Sequence, residues 1–199
     1  MSAGLSVLIG IASSIVASGL FWAAFFYLRP RISISTEVAR GVDTQGGSFY
    51  AIKLVNRSWR ACHDLRFRLQ LMKIRVIPGG QLLSASEIKV VHPEVFLLKR
   101  YSPSDREASY AFRVRTTEDI DSLWSDDQRS FLRLQVYARD AISGLPSLKI
   151  REFRYKRTDV VTGEFEFGAS LEVRRGEPTR SSVHRETVAD SDGIGEVEE

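Results

Sequence analysis

Few side chains in this sequence stand at spacings that chemistry needs. The single cysteine, Cys62, is followed by His63. A thiol beside an imidazole is the pair that a cysteine nucleophile requires. Neighbours in a strand point to opposite faces, however, so these two side chains would diverge. The other histidines, His92 and His184, lie far from His63 and from each other. Structural metal sites need ligands recurring at short intervals, and these do not recur. The glycine pairs Gly46-Gly47 and Gly79-Gly80 fall between strand patterns, not between a strand and a helix, so they read as turns and not as a phosphate-binding loop. The reading is a protein without catalysis, with no catalytic, cofactor-binding or metal-binding residue and no cofactor.

Two charged constellations remain. Glu118, Asp119, Asp121, Asp126 and Asp127 crowd ten residues. Carboxylates so grouped suit calcium, but the spacing matches no calcium loop, and acids at a helix start explain most of it. Arg151, Arg154, Lys156 and Arg157 interleave with Phe153 and Tyr155. As a basic surface they would meet lipid headgroups or an acidic protein ahead of nucleic acid, which is disfavoured as a partner. Asn56-Arg57-Ser58 matches a glycosylation acceptor, which matters only for a lumenal domain.

These residues need an element to position them, and that element is the apolar stretch Gly4–Leu28. No charged side chain precedes Arg29. A helix over residues 4–28 would be about 37 Å long, enough for a hydrocarbon core of about 30 Å with tilt. A cleaved leader would need a basic start, which is absent; a core helix would be shorter; an interfacial helix would have a polar face. The expectation is one transmembrane helix. Trp22 and Tyr27 suit the headgroup layer, and with Arg29 and Arg31 they form its interface anchors. Arg29, Arg31 and Arg40 follow the segment, which predicts a single-pass protein with its N-terminus outside and its body cytoplasmic. Gly10, Ser14 and Ser18 share one stripe, where small residues would let two helices meet.

Net charge is +3 but uneven. From Glu177 onward there are two arginines against seven acids, leaving 26 basic and 18 acidic residues before it. A basic body beside a bilayer favours acidic surfaces. One cysteine excludes an intrachain disulfide, in agreement with a reducing compartment. Residues 174–199 are polar, acidic and without aromatics, which predicts a disordered tail that could be phosphorylated at Ser181 or Ser182.

The body, residues 31–173, reads as all-β. Ile32, Ile34, Thr36 and Val38 share one face of a first strand, and Gly41–Gly47 reads as a turn. Phe49–Val55 follows, then the clean alternation Leu65, Phe67, Leu69, Leu71. The apolar phase slips at Met72-Lys73, which predicts a bulge there. Further strands are expected at 87–91, 95–99, 110–115, 132–139, 148–155, 160–161 and 165–171, with one short helix over 118–124 capped by Thr117. About eight strands at turn spacings of roughly ten residues favour an antiparallel sandwich or barrel. The pattern resembles immunoglobulin-like or fibronectin-like β-sandwiches, without the inter-sheet cysteine pair. No linker separates Pro30 from the first strand, so the body should sit close to the membrane.

The function expected is a single-pass binding module, uncharacterised as to partner, that holds a protein or a second copy of itself at the bilayer. The alternatives are an oligomerising effector acting through its transmembrane helix, and an extracytoplasmic adhesion-type sandwich.

Overall fold

A computed structural model describes residues 3–43, 46–127 and 129–176. The chain is mostly β, in two sheets, with one apolar helix at its N-terminus. Helix α1 (Ala3–Tyr27) forms because 25 residues carry no charge and no proline. Pro30, the third residue beyond it, lacks an amide donor and cannot continue it. Its Val7–Tyr27 portion is long and apolar enough to cross a membrane, and none of that portion is buried against the body.

The first sheet is built on β3 (Ser48–Asn56). β1 (Ile32–Ile34) and β2 (Val38–Val42) pair in succession along one edge of β3, and β7 (Ala111–Thr116) takes the other edge. β2 then pairs in parallel with β10 (Val160–Phe165), and β10 pairs antiparallel with β11 (Val173–Arg175). The second sheet is built on β4 (Cys62–Ile77), with β6 (Glu94–Leu98) and β5 (Gly80–Ile88) along one edge. β8 (Ser130–Asp140) lies on the other edge, followed by β9 (Pro146–Phe153). Single-turn helices α2 (Ile120–Leu123) and α3 (Lys156–Asp159) sit in the connections.

Both sheets contribute to one apolar cluster. Tyr50, Ile52, Leu54 and Val114 come from the first sheet; Leu65, Phe67, Leu69, Leu132, Leu134 and Val136 come from the second. Phe67 and Phe112 stack between the sheets with centroids 5.3 Å apart. Trp124 is fully buried, and its indole N–H donates to the Ser130 carbonyl at 3.2 Å. Burying that ring while satisfying its one polar atom removes a large apolar area from water without a desolvation penalty.

Several expectations are corrected. The first strand breaks between Ile34 and Val38, where the Ser35 hydroxyl donates to the Glu37 carbonyl. Gly41 belongs to β2 and not to the turn: it faces Phe49 in register, and a Cβ there would stand 2.4 Å from the Phe49 ring. The bulge in β4 falls between His63 and Arg66, where Asp64 takes a left-handed φ of 52°, while pairing through Met72-Lys73 is continuous. Leu71 and Met72 are both buried, on opposite faces, which is why the apolar phase seems to slip. The strand expected at 87–91 is displaced: β5 spans 80–88 and pairs along the whole outer half of β4. Asp119, not Thr117, caps α2, accepting from the Asp121 amide. Lys156 and Arg157 lie in α3 and not in a strand, and Arg174 and Arg175 lie in β11 and not in the tail. Residues 177–199, with Ser181, Ser182 and His184, lie outside the described residues.

Candidate membrane junction

The residues with most to do lie where α1 meets the body. β3 ends at Asn56, which is fully buried. Its side-chain carbonyl accepts from the Ser58 amide, and its NH2 donates to the Arg60 and Lys99 carbonyls at 2.8 and 3.0 Å. That pins the β3–β4 connection. It also removes Asn56 as a glycosylation acceptor in the folded chain, because both amide hydrogens are engaged inside the body.

The pinned loop grips the chain leaving α1. The Arg31 amide donates to the Ser58 hydroxyl at 2.7 Å, and the Arg57 amide donates to the Arg31 carbonyl at 2.7 Å. Arg60, 5% exposed, donates through Nη2 to the Leu28 carbonyl at 2.7 Å. A cation on a helix's last carbonyls satisfies an orphan acceptor and complements the dipole. The other side of the guanidinium pairs with Asp140, with Nε 3.0 Å from Oδ2, and both side chains are buried. Asp140 in turn accepts from the Ile142 and Ser143 amides and from the Ser143 hydroxyl, which lies 3.4 Å from the Leu28 carbonyl. A buried charge pair costs desolvation that hydrogen bonds to its remaining valences offset. Here Oδ1 takes all three of those bonds, while Oδ2 has the Arg60 cation beside it and no hydrogen bond. The ring of Trp59 lies 6.4 Å from that of Tyr27, and Arg60 lies over Trp59 at 4.9 Å.

The four residues expected as interface anchors lie at the end of α1 that joins the body. Arg29 lies over Phe25 and Phe26, and Arg31 lies over Tyr27. Trp22 stacks on Phe26 and is 58% exposed. Gly10, Ser14 and Ser18 are exposed along α1, with open space around the position of a Cβ at Gly10.

The two charged constellations meet each other. Asp121 pairs with Arg40 at 2.7 Å and with Lys156 at 3.5 Å, and Arg157 pairs with Asp126. Arg154 pairs with Glu152 at 2.6 Å, and Arg151 lies over Phe153 at 5.9 Å. Two arginines hold the Glu152 carboxyl below its usual range against its partial burial, because Arg133 also donates to it. Lys156, Arg157 and Arg154 thus neutralise this chain's own acids. Among the described residues no group of three His, Cys, Asp or Glu side chains could hold a metal ion.

Among the buried groups that are shifted, Cys62 and Lys53 bear on chemistry. The Cys62 thiol is fully buried, and burial, followed by the nearby Asp140 charge, pushes it up to about 11. It is protonated and shielded in the fold, and His63 is a strand neighbour, not a base aimed at it. Lys53, 2% exposed in the middle of β3, donates its Nζ to the Glu166 carbonyl at 2.5 Å. Burial, then the Arg113 charge, lowers its pKa to about 8.

Arg60, Asp140 and Ser143 did not stand out in the sequence. The one local signal is the run Asp140-Ala141-Ile142-Ser143-Gly144, in which an aspartate followed by small polar residues is suited to bonding its own turn.

No protein-family model matches the chain, and no curated protein matches it. Weak likenesses exist among solved structures. The ApaA protein from Bordetella pertussis is 9% identical with a TM-score of 0.35, covering 63% of this chain and 92% of that one. Spo0M, the sporulation control protein of Bacillus subtilis, is 7% identical with a TM-score of 0.34, covering 63% of this chain and 48% of that one. At these scores neither assigns a fold family or a function to this chain.

Proposed function

We propose that this protein is a single-pass, membrane-anchored binding module. Its body, an immunoglobulin-like sandwich by architecture, holds a protein partner or a second copy at the bilayer without catalysing a reaction. The observation that carries this reading is the exposed apolar helix whose end, at Leu28, is hydrogen-bonded to the body. An exposed helix of this length and composition has no stable place in water. The Leu28 carbonyl, Arg60, Asp140 and Ser143 then set the body directly under it, with no free linker. A body so held presents its sheet edges, such as the outer edge of β9, in a constant orientation to what approaches the membrane. The arginines that follow α1 favour a cytoplasmic body.

Reporter fusions at the C-terminus test the orientation. A reporter active only in the cytoplasm gives signal and an export-dependent one does not. The reverse pattern contradicts the cytoplasmic assignment and favours an extracytoplasmic sandwich.

A further inference from the structure

The end of the body that carries α1 has a surface that the fold leaves uncovered. Trp59 is 57% exposed although its ring lies beside that of Tyr27, at the end of the apolar helix. Ile142, in the turn whose Ser143 reaches Leu28, is 75% exposed. Arg29, Arg31, Arg57 and Arg100 are exposed at the same end. Arg57 bonds to Arg31 through its backbone, and Arg100 precedes Tyr101, whose amide donates to the Ser58 carbonyl at 3.0 Å. Two acids near this end are already engaged. Asp140 faces Arg60, and Asp105 accepts from the Glu107 and Ser109 amides of its own loop. Among the described residues none of these four arginines has a carboxylate at ion-pair distance, whereas Arg40, Arg154, Lys156 and Arg157 all do.

Apolar and aromatic side chains ringed by unpaired arginines, continuous with a membrane-length helix, are what a headgroup layer accepts. We infer that this end of the body lies on the bilayer itself. Trp59 and Ile142 enter the boundary between headgroups and acyl chains, and Arg29, Arg31, Arg57 and Arg100 meet the phosphates of anionic lipids. Continuity selects the occupant: the Arg60–Leu28 bond holds this surface within one residue of the helix end, where lipid already is. A second copy would bring the same four positive charges to the contact. This inference rests on the anchored reading above.

The full chain carrying Ile142→Cys, labelled with a polarity-sensitive nitrobenzoxadiazole dye, is reconstituted in phosphatidylcholine vesicles with or without phosphatidylglycerol. Cys62 is fully buried and stays unlabelled. A Gln81→Cys chain, labelled at the exposed far tip of the β4–β5 hairpin, serves as the water reference. With phosphatidylglycerol, the dye at 142 emits to the blue of the dye at 81 and about twofold or more brighter, as an interfacial site does. Arg57→Gln with Arg100→Gln reduces that difference. Emission at 142 equal to that at 81, in vesicles that carry the chain on flotation, overturns the inference and leaves the anchor standing. An equal blue shift without phosphatidylglycerol overturns the anionic-lipid part alone. A chain that fails to float with the vesicles overturns the anchored reading and this inference with it.

Discussion

Arg60 serves two partners from one buried guanidinium, and its loss exposes both. Arg60→Ala would leave the Asp140 carboxylate in the interior without its cation and the Leu28 carbonyl without its donor. Breaking one side of a buried pair typically costs about 3–5 kcal/mol. Denaturant unfolding of the chain in detergent should show a loss of that size, and Arg60→Met with Asp140→Leu should recover part of it. An unchanged midpoint for Arg60→Ala would mean that the pair does not hold the junction. Lys53 carries a different signature. Its folded pKa of about 8 lies below its ordinary 10.5, so between those values the unfolded chain binds more protons. Its contribution to stability therefore rises with pH across that window and is lost as pH falls through 8. Cys62, raised to about 11, and Tyr50, raised to about 12 mainly by burial, act the opposite way above their unfolded values. The comparison with Lys53→Met isolates the lysine: from pH 8 to 10.5 the unmodified chain should gain on the variant by up to about 3 kcal/mol. A difference independent of pH would place Lys53 in water.

At the scale of elements, glycines mark where backbones come closest. Gly163 in β10 has a φ of 147°, and a Cβ there would stand 2.2 Å from the Arg174 carbonyl oxygen of β11. Since that neighbour is backbone, Gly163→Ala cannot be absorbed by a rotamer change. It should release β11 and speed tryptic cleavage after Arg174 or Arg175 several-fold, read by mass spectrometry, with the core otherwise protected. The same scale explains what sequence could reveal. α1 was legible because 25 charge-free residues permit little else, and β4 and β8 because their apolar residues alternate over a half-covered sheet. β5 was displaced because Gln81–Leu83 lies where the hairpin outruns β8 and nearly the whole strand is exposed, so no buried face imposes a period. The bulge at Asp64 was invisible because it precedes the alternation, and the false one at Met72 arose because both faces of the strand are covered there. Arg60 and Asp140 are 80 positions apart, and only the β4–β8 register that sets Cys62 opposite Asp140 brings them together.

Across the whole molecule the fold sorts positive charge into two kinds. In the basic run near β9 and α3, conspicuous in the sequence, Lys156 and Arg157 pair with acids around α2 and Arg154 pairs with Glu152. The arginines beneath the helix, scattered at 29, 31, 57 and 100, have no carboxylate at ion-pair distance among the described residues and gather at one end. A linear reading finds the first kind because it is contiguous, and overlooks the second because its members come from three loops. On the proposed reading the anchor crosses the bilayer, and the junction and the charged end meet one of its surfaces. The most direct measurement is flotation of membranes from cells expressing the full chain, after alkaline extraction, with the intact mass read on the floated band. The expected result is a floated chain at the full 22.4 kDa, and an Ile11→Arg, Ile15→Arg variant that stays in the soluble fraction. A chain recovered in the soluble fraction, or shortened by cleavage of a leader at the small residues Ala17-Ser18-Gly19, would show that α1 is no anchor and would contradict the anchored reading.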